Sequence, residues 1–334
     1  MRRSLARLSI PLREPFATSG GLITARDIVL LRLEDDDGAV GYGEAAPLPS
    51  YDGVSVDDVV AALLKGLPGP PQARTAEEMA LLDLEARREG RPIGEPGAEA
   101  IAVNRTLGAG PPEEVAARAA QGLLDGYSCF KVKVGLPDDV ERVAAVRLAL
   151  GTWPAIRLDA NGAWDVEQAI ASIDELAAFD IQLVEQPCPT LEELAAVRRA
   201  VSVPVAADES VATPADVRAA VRAEACDVVN VKLAPSGGFG AAREALREAA
   251  GHGLATFISS TLDGPWGIAA ALQLAAAERV QMACGLATLE LFDASLALAL
   301  PPPHDGLLDV PEGPGLGIAV DERAVAEVLV EELA

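Results

Sequence analysis

Apolar and polar residues alternate near the start of the 334-residue chain with the period that antiparallel strands require. The runs ARLSIPL and DIVLLRLEDDDGAVGYGEAAP show this period, and the Asp-Asp-Asp-Gly sequence within the second run predicts a hairpin turn. Two helical runs follow, SVDDVVAALLKGL and TAEEMALLDLEARREG, and we expect their N-caps at Ser55 and Thr75. This part of the chain therefore predicts an α+β unit.

The pattern changes near residue 98, where short apolar runs begin to alternate with helical runs such as DDVERVAAVRLALG, DVEQAIASIDELAAF and ADVRAAVRAE. This alternation is typical of βα units around a parallel sheet. We identify eight candidate strands: AIAVNRTL, SCFKVKVG, AIRLDAN, QLVEQP, VPVAADES, VVNVKLA, LATFISST and VQMACGL. Eight parallel strands with intervening helices predict a closed α/β barrel. The turn-rich tail, PPPHDGLLDVPEGPGLGIAVD, is expected to return to the first unit.

Composition and charge narrow the class of protein. A hydrophobic fraction of 50% predicts a globular chain, and a net charge of −24 argues against nucleic acid or an anionic membrane as a partner, because both require a basic surface. The first residues, MRRSLARLSIPLREPF, lack a signal-peptide core, and no apolar run is long enough to cross a membrane. We therefore expect a soluble cytoplasmic protein. The chain has two histidines, which argues against a site built on several of them.

A charged residue stands near the end of each of five successive candidate strands. These residues are Lys133, Asp159, Glu185, Asp208 and Lys232, and they follow one another at spacings of 26, 26, 23 and 24 residues. Active sites of such barrels lie at the carboxyl ends of the strands. The near-constant spacing therefore predicts that the five side chains converge on one site.

The three acidic residues of this series, Asp159, Glu185 and Asp208, would come from adjacent strands. Carboxylates packed together are costly unless a positive charge neutralises them, and a hard divalent cation does so. Oxygen ligands favour Mg²⁺, or Mn²⁺ in its place, with further positions left for water and substrate. The sequence thus predicts a divalent metal site.

The lysines supply the other half of the predicted chemistry. The chain has four lysines among 27 basic residues, and two of them, Lys131 and Lys133, lie on the same side of the strand FKVKVG. Lys232 would enter the site from the other side of the barrel. A lysine that is desolvated and crowded by a second cation can act as a base near neutral pH, whereas an arginine cannot. Removal of a proton next to a carboxylate is a reaction that needs such a base.

This constellation, K-x-K on the second strand, acids on the third to fifth and Lys on the sixth, resembles the enolase superfamily and its muconate-lactonizing subgroup. GYGEAAPLPSYDG is similar to the W-G-E-x-x-P-L-P-x-F segment of the o-succinylbenzoate synthase family of menaquinone biosynthesis, with Tyr42 where Trp is common. RLDANGAW, ADES, ISST and GLATLELFD are similar to that family too. The resemblance covers essentially the whole chain. It implies a modified TIM barrel, (β/α)7β, in residues 98–300, with an α+β capping domain formed by residues 1–97 and the returning segment 301–334.

The resemblance also implies roles for individual residues. Lys133 would be the general base, Lys232 would stabilise the enolate from the opposite face, and Lys131 would be the second lysine of the pair. Asp159, Glu185 and Asp208 would hold Mg²⁺, supported by Asn161 and Glu209. The residues implied in substrate binding are Ser259, Ser260, Gly285 and Leu286 at the succinyl end, Ser19 and Tyr51 on covering loops, and Arg157, for which pairing with a carboxylate is the alternative.

The reaction implied is that of a carbon–oxygen lyase on a small-molecule carboxylate. It is the Mg²⁺-dependent dehydration of 2-succinyl-6-hydroxy-2,4-cyclohexadiene-1-carboxylate to 2-succinylbenzoate through an enediolate. The alternatives on the same scaffold are N-succinylamino acid racemase, dipeptide epimerase and muconate cycloisomerase, and a binding barrel without catalysis is the alternative from another class. Ala287 and Leu289 stand where dipeptide epimerases often have Asp-x-Asp, which counts against an epimerase. The oligomeric state is left open by this pattern.

Overall fold

The computed structural model describes residues 1–18, 21–66 and 69–333. Its strands, in chain order, are β1 (Arg2–Thr18), β2 (Gly21–Glu34), β3 (Val40–Ala45), β4 (Ala100–Ala102), β5 (Arg105–Leu107), β6 (Cys129–Lys133), β7 (Ala155–Asp159), β8 (Ile181–Glu185), β9 (Val205–Ala207), β10 (Val228–Val231), β11 (Ala255–Ile258), β12 (Leu307–Asp309) and β13 (Leu329–Leu333). Its helices are α1 (Pro49–Asp52), α2 (Val56–Lys65), α3 (Pro71–Glu89), α4 (Pro112–Leu124), α5 (Asp139–Leu150), α6 (Val166–Leu176), α7 (Leu191–Ala200), α8 (Pro214–Ala223), α9 (Leu233–Ser236), α10 (Phe239–Gly251), α11 (Pro265–Ala277) and α12 (Glu322–Val328).

Both ends of the chain meet in an antiparallel sheet of order β13-β1-β2-β3, which we call the capping sheet. The predicted hairpin joins β2 to β3, and the side chain of Asp35 accepts hydrogen bonds from the backbone N–H groups of Asp37 and Ala39 in its turn. β13 pairs with β1, so the C-terminal segment contacts the N-terminal one. The boundaries 1–97, 98–300 and 301–334 stay a prediction.

Helix α3 packs directly on the strand β3. A Cβ atom on Gly41 or Gly43 would lie 2.1 or 1.9 Å from a carbonyl oxygen of α3, so this close approach requires glycine at both positions. The N-cap of α2 is confirmed at Ser55, whose hydroxyl accepts from the N–H of Asp58. The N-cap predicted at Thr75 is wrong, because α3 begins at Pro71, where a proline without an N–H is well tolerated.

The parallel strands form one curled sheet of order β11-β10-β9-β8-β7-β6-β5. Cys284 and Gly285 link its two edges, since Cys284 pairs with Val103 beside β5 and Gly285 pairs with Ser259 beside β11. The first predicted strand is divided into β4 and β5, and β4 pairs with β12 instead of the barrel. The eighth, VQMACGL, is reduced to the two pairs at Cys284 and Gly285, where a Cβ on Gly285 would lie 2.7 Å from the Ser259 Cβ. The predicted fold class, a modified (β/α)7β barrel with an α+β cap, is confirmed.

Three helices of the barrel, α6, α7 and α8, begin at capping boxes. Asp165 with Gln168, Thr190 with Glu193 and Thr213 with Asp216 satisfy the first N–H groups of α6, α7 and α8. The helical runs predicted for α5 and α8 are confirmed within a residue at each end, whereas α6 ends at Leu176, three residues before the predicted end, and continues as a 3₁₀ turn to Phe179. Within the described parts of the chain, no helix has both the length and the apolar surface to cross a membrane.

Candidate active site

The predicted acidic residues lie side by side at the carboxyl edge of the barrel sheet. Asp159 ends β7 and pairs in register with Glu185 at the end of β8, while Asp208 directly follows β9. Each strand is short and apolar and brings one acid to its end. The side chains are buried, with residue exposures of 1%, 0% and 3%. The convergence predicted from the spacing is thus present.

Two lysines project from β6 toward these acids. The Nζ atom of Lys131 lies 3.0 Å from Asp159 Oδ2 and 3.3 Å from Glu185 Oε1. The Nζ atom of Lys133 donates to Asp159 Oδ2 at 2.7 Å and to Asn161 Oδ1 at 2.7 Å. Residues two apart on a strand face the same side, which explains why both lysines reach the same carboxylate.

Lys232 approaches the acids from the opposite wall. It follows β10, which is four positions from β6 in the sheet order, and strands four apart in an eight-strand barrel face each other. Its Nζ atom lies 2.5 Å from both carboxylate oxygens of Asp208 and 2.8 Å from the hydroxyl of Tyr51. The Tyr51 hydroxyl in turn donates to Asp208 Oδ1 at 3.1 Å.

Burial and neighbouring charges raise the pKa of two acids of the site and lower that of the third. Burial, aided by the charges of Asp159 and Asp208, raises the pKa of Glu185 to about 7. Burial likewise raises the pKa of Asp208, although Lys232 opposes the shift. Burial alone would raise the pKa of Asp159, but Lys131 and Lys133 outweigh it and lower that pKa. Burial therefore disfavours the ionised forms of Glu185 and Asp208, whereas the two lysines of β6 favour the ionised form of Asp159.

Two of the three lysines that contact these acids, Lys131 and Lys232, are held as cations. Burial would lower the pKa of Lys131, but Asp159 and Glu185 outweigh burial and raise it. Burial likewise opposes the charged form of Lys232, and Asp208 and Glu209 raise its pKa above the ordinary value. Lys131 and Lys232 therefore act in this structure through their positive charge.

A cavity of about 650 Å³ opens over these groups. Its floor carries the charged residues, and its other walls are formed by apolar and hydroxyl side chains from the cap and from the ends of β11 and the eighth segment. The lining residues include Phe16, Ile23, Leu48, Tyr51, Thr106, Lys131, Lys133, Leu136, Asp159, Asp208, Lys232, Ser259, Ser260, Leu262, Gly285, Thr288 and Leu291. A small molecule with both charged and apolar parts is the kind of ligand that this lining suits.

Comparison with known proteins agrees with this geometry. Residues 114–324, which carry all five residues of the spaced series, match the family described as "Enolase C-terminal domain-like". The chain belongs to the enolase superfamily. It is therefore an enzyme of the superfamily that the lysine and acid pattern indicated.

Three relatives show the range of activities among similar chains. The o-succinylbenzoate synthase of Thermobifida fusca is 39% identical over 332 residues, which cover 98% of this chain and 92% of that protein. The N-succinyl Arg/Lys racemase from Bacillus cereus superposes with a TM-score of 0.93 at 25% identity, covering 99% of this chain and 98% of the other. The dipeptide epimerase from Cytophaga hutchinsonii, solved with Mg and the dipeptide D-Ala-L-Val, gives a TM-score of 0.89 at 28% identity, with 99% and 98% covered.

The donor set of this enzyme fits a divalent cation by its chemistry. Asp159, Glu185 and Asp208 offer only carboxylate oxygens, which are the ligands that Mg²⁺ prefers. Among the described residues, however, no three acidic, histidine or cysteine side chains are grouped closely enough to hold an ion as they stand. Ammonium groups of Lys131 and Lys232 take up carboxylate oxygens instead.

Most of the remaining predicted site residues line the cavity. Ser259, Ser260, Gly285 and Tyr51 line the cavity, together with Asn161 and Glu209, whose side chains share a 2.8 Å hydrogen bond. Leu286 lies outside the lining of this cavity and borders a neighbouring one. Ser19 lies outside the described residues.

Arg157 points away from the cavity, so we leave it out of the proposed site. Its Nε atom donates to Gln182 Oε1 at 2.7 Å, and its Nη1 atom donates to the carbonyl oxygen of Ala283 at 2.7 Å. Its guanidinium also lies 4.8 Å from the centroid of the Phe257 ring. It packs below the acids. We expected Arg157 to contact either substrate or a carboxylate, and the contacts it makes are with neither.

Three polar residues of the site were missed by the sequence argument. Asn230 donates to Glu185 Oε1 at 2.9 Å and accepts from Ser259 Oγ at 2.9 Å. Its position two residues before Lys232 could have indicated this, because both side chains face one side of β10. Gln186 accepts from the N–H of Asp208 at 2.8 Å, and Thr288 shares a 2.8 Å hydrogen bond with Ser260.

Proposed function

We propose that this enzyme is a Mg²⁺-dependent o-succinylbenzoate synthase that acts in menaquinone biosynthesis. The observation that carries the proposal is the placement of Lys133 and Lys232 on facing walls of one cavity, above three buried carboxylates. The 39% identity to the synthase of Thermobifida fusca, over nearly the whole chain, supports this activity among those of the superfamily. The reaction removes water from 2-succinyl-6-hydroxy-2,4-cyclohexadiene-1-carboxylate and yields 2-succinylbenzoate.

In the proposed reaction Lys133 is the base. Its amine takes the proton from the carbon that bears the carboxylate, the bond between the adjacent carbon and its hydroxyl breaks, and this hydroxyl takes the proton back and leaves as water. The ring becomes aromatic, and the atoms balance without a further reactant. Asn161, which accepts from Lys133 Nζ at 2.7 Å, orients the amine when Asp159 is otherwise engaged.

The charged groups opposite the base stabilise the negative charge that develops on the substrate. Asp159, Glu185 and Asp208 would hold Mg²⁺, which would polarise the substrate carboxylate and make its α-proton more acidic. Lys232, kept cationic by Asp208, would contribute a positive charge from the facing wall. Lys131 contacts Asp159 and Glu185, and its positive charge favours the ionised form of both against the effect of burial.

The far end of the cavity suits a succinyl arm better than the ammonium group of a dipeptide. Ser260 and Thr288 present a pair of hydrogen-bonded hydroxyls there, next to the glycine at 285. The positions on either side of Thr288 are Ala287 and Leu289, so an acidic partner for an ammonium is lacking at both. This chemistry supports the synthase over a dipeptide epimerase.

N-Succinylamino acid racemase is the second candidate, favoured by one specific observation. A racemase needs an acid and a base on opposite faces of one carbon, and Lys133 and Lys232 face each other across the cavity. The similarity in fold to the N-succinyl Arg/Lys racemase points in the same direction. Both candidate reactions use a succinyl group, so the cavity lining does not separate them.

Direct turnover assays distinguish the candidates. The purified protein with Mg²⁺ is given the cyclohexadiene substrate, several N-succinyl amino acids and several dipeptides in parallel, and kcat/KM is measured for each. We expect the highest value by far for the cyclohexadiene carboxylate, followed by its ultraviolet change on aromatisation. Racemisation of N-succinyl amino acids without dehydration would assign the second candidate instead.

A further inference from the structure

A cluster of three buried ionisable residues lies where the capping sheet meets the barrel, outside the groups used in the proposed reaction. Arg26 on β2, Glu44 on β3 and Asp263 before α11 have exposures of 2%, 2% and 3%. Charged side chains are rarely buried to this degree unless they are paired and fully hydrogen-bonded. Such a cluster at an interface therefore indicates a functional role.

Arg26 joins two segments of chain by hydrogen bonds to main-chain carbonyl oxygens. On the cap side, its Nη2 atom donates to Ala46 at 2.8 Å and its Nη1 atom donates to Pro47 and Asp27. On the barrel side, its Nε atom donates to the carbonyl oxygen of Thr261 at 3.1 Å. One planar guanidinium thus fixes the distance between residue 46 of the cap and residue 261 of the barrel.

The two acids attach the same cluster to helix α11. Glu44 accepts from the N–H of Gly264 at 2.6 Å and from the N–H of Gly267 at 3.2 Å, so its carboxyl group caps the first turn of α11. Asp263 accepts from both the N–H and the hydroxyl of Thr261. Nearly every residue of α11 is buried, which makes this helix a rigid frame for the cluster.

Both segments tied by Arg26 lead directly into the cavity. Residues 46–53, which we call the cap loop, carry Leu48 and Tyr51 over the site. The other end of this loop is held by Asp52, whose carboxylate accepts from the N–H of Leu48 at 3.0 Å and from Gln72 Nε2 at 2.7 Å. The cap loop is therefore fastened at both ends. Arg26 ties it to the segment that carries Ser260, as does the Thr261 hydroxyl, which donates to the carbonyl oxygen of Ala46 at 3.4 Å.

We propose that Arg26 is a positioning residue that sets the cap loop over Lys232, while Asp263 holds its partner Thr261 and Glu44 holds the first turn of α11. It acts through Tyr51, whose hydroxyl contacts Lys232 and Asp208. An arginine is required because its rigid, planar donors reach Thr261, Ala46 and Pro47 at once, whereas a lysine ammonium is compact and flexible. The kinetic test below rests on the proposed function, and the structural test does not.

Hydrogen exchange measured by mass spectrometry tests the proposal without a substrate. The amides of Leu48, Tyr51, Asp52 and Gly53 are hydrogen-bonded within the cap loop, so their exchange reports on its order. We expect Arg26→Lys to speed their exchange by about tenfold or more, while exchange in β6 to β8 stays unchanged. Unchanged exchange in the cap loop would overturn the proposal.

Arg147→Lys is the matched control. Arg147 donates to four main-chain carbonyl oxygens as well, those of Gly151, Pro154, Phe179 and Asp180, and none of these residues lines the cavity. This variant should alter exchange around its own partners and leave residues 46–53 as they are. Equal effects of both variants on the cap loop would mean that Arg26 contributes general stability only.

A double-mutant cycle with Tyr51→Phe tests whether Arg26 acts through the cap loop. We expect Arg26→Lys and Tyr51→Phe each to lower kcat/KM by about tenfold, and the double variant to lose little more than the worse single variant. Losses that multiply would show independent roles and would contradict the proposal. Arg147→Lys combined with Tyr51→Phe should behave additively.

Two alternative experiments apply if a variant does not fold or if the proposed function fails. If Arg26→Lys does not fold, Arg26→Gln replaces it, because one amide nitrogen has two N–H donors and so cannot bond Thr261, Ala46 and Pro47 at once. If the enzyme fails to dehydrate the cyclohexadiene, the proposed function fails, and the cycle is run with whichever N-succinyl amino acid it racemises. The exchange result stands in either case.

Discussion

The Nζ atom of Lys232 lies 4.1 Å from the centroid of the Tyr51 ring and 2.8 Å from its hydroxyl oxygen. A residue of the cap thereby contacts a lysine of the barrel that stands 181 positions further along the chain. Burial and the charge of Asp208 keep the pKa of Tyr51 well above its usual value, so the hydroxyl is a neutral donor. This pair of residues therefore links the position of the cap to the electrostatics of the site.

Removal of the Tyr51 hydroxyl should weaken catalysis while the ring is retained. Hydrogen bonds that involve charged groups contribute about 1.5–3 kcal/mol, so we expect Tyr51→Phe to lower kcat/KM about tenfold or more. Steady-state kinetics with the cyclohexadiene substrate measure this. Tyr42→Phe, on the same side of the molecule but outside the cavity lining, is the control and should change little. Equal activity of Tyr51→Phe and the parent would show that the hydroxyl is dispensable.

Replacement of the proposed base should abolish turnover without unfolding the protein. Lys133→Arg keeps a positive charge beside Asp159 but cannot give up its proton, so a loss of about 100- to 10,000-fold in kcat is expected. Circular dichroism checks the fold. Lys65→Arg, on the exposed end of α2, is the matched control and should retain full activity. A fully active Lys133→Arg enzyme would exclude Lys133 as the base.

Activity should depend on a divalent cation held by the three buried acids. Excess EDTA is expected to abolish turnover, and added Mg²⁺ or Mn²⁺ should restore it. By calorimetry, Asp159→Asn should weaken Mg²⁺ binding by more than about 100-fold, the upper range for residues that only support metal ligands. Glu192→Gln, an exposed acid on α7, is the control. Undiminished activity in EDTA, or unaltered Mg²⁺ affinity of Asp159→Asn, would contradict the metal assignment.

The buried Glu44 should make stability fall as the pH rises. Burial, aided by the charge of Asp263, raises its pKa to about 8 in the folded protein, against 4.5 for the exposed group. Between these values the folded state holds a proton that the unfolded chain releases, so unfolding becomes easier by at most about 1.4 kcal/mol per pH unit and levels off above pH 8. Arg26 partly opposes this shift.

Urea denaturation of Glu44→Gln at several pH values measures this contribution. The variant should show a smaller decline of the free energy of unfolding between pH 5 and 8 than the parent protein. Glu113→Gln, an exposed acid near the start of α4, should follow the parent curve. Parallel curves for Glu44→Gln and the parent would indicate that Glu44 does not carry a proton near neutral pH in the folded state.

The sequence alone determined the fold class and the residues that meet at the strand ends. One βα unit recurs about every 25 residues, and strand periodicity faces every second side chain the same way, so Lys133, Asp159 and Glu185 were predictable as neighbours. The same alternation along β10 would have added Asn230, two residues before Lys232, to the predicted site residues. These features depend on local periodicity, which the order of residues encodes directly.

Only the tertiary structure decided which distant elements touch. The contact of Tyr51 with Lys232, the four carbonyl bonds of Arg26 and the placement of Arg157 below the acids join segments whose spacing carries no common period. The eighth strand, too, was reduced to two residue pairs, Cys284 with Val103 and Gly285 with Ser259. Packing between separate elements depends on the shapes of both surfaces, and a single run of sequence contains only one of them.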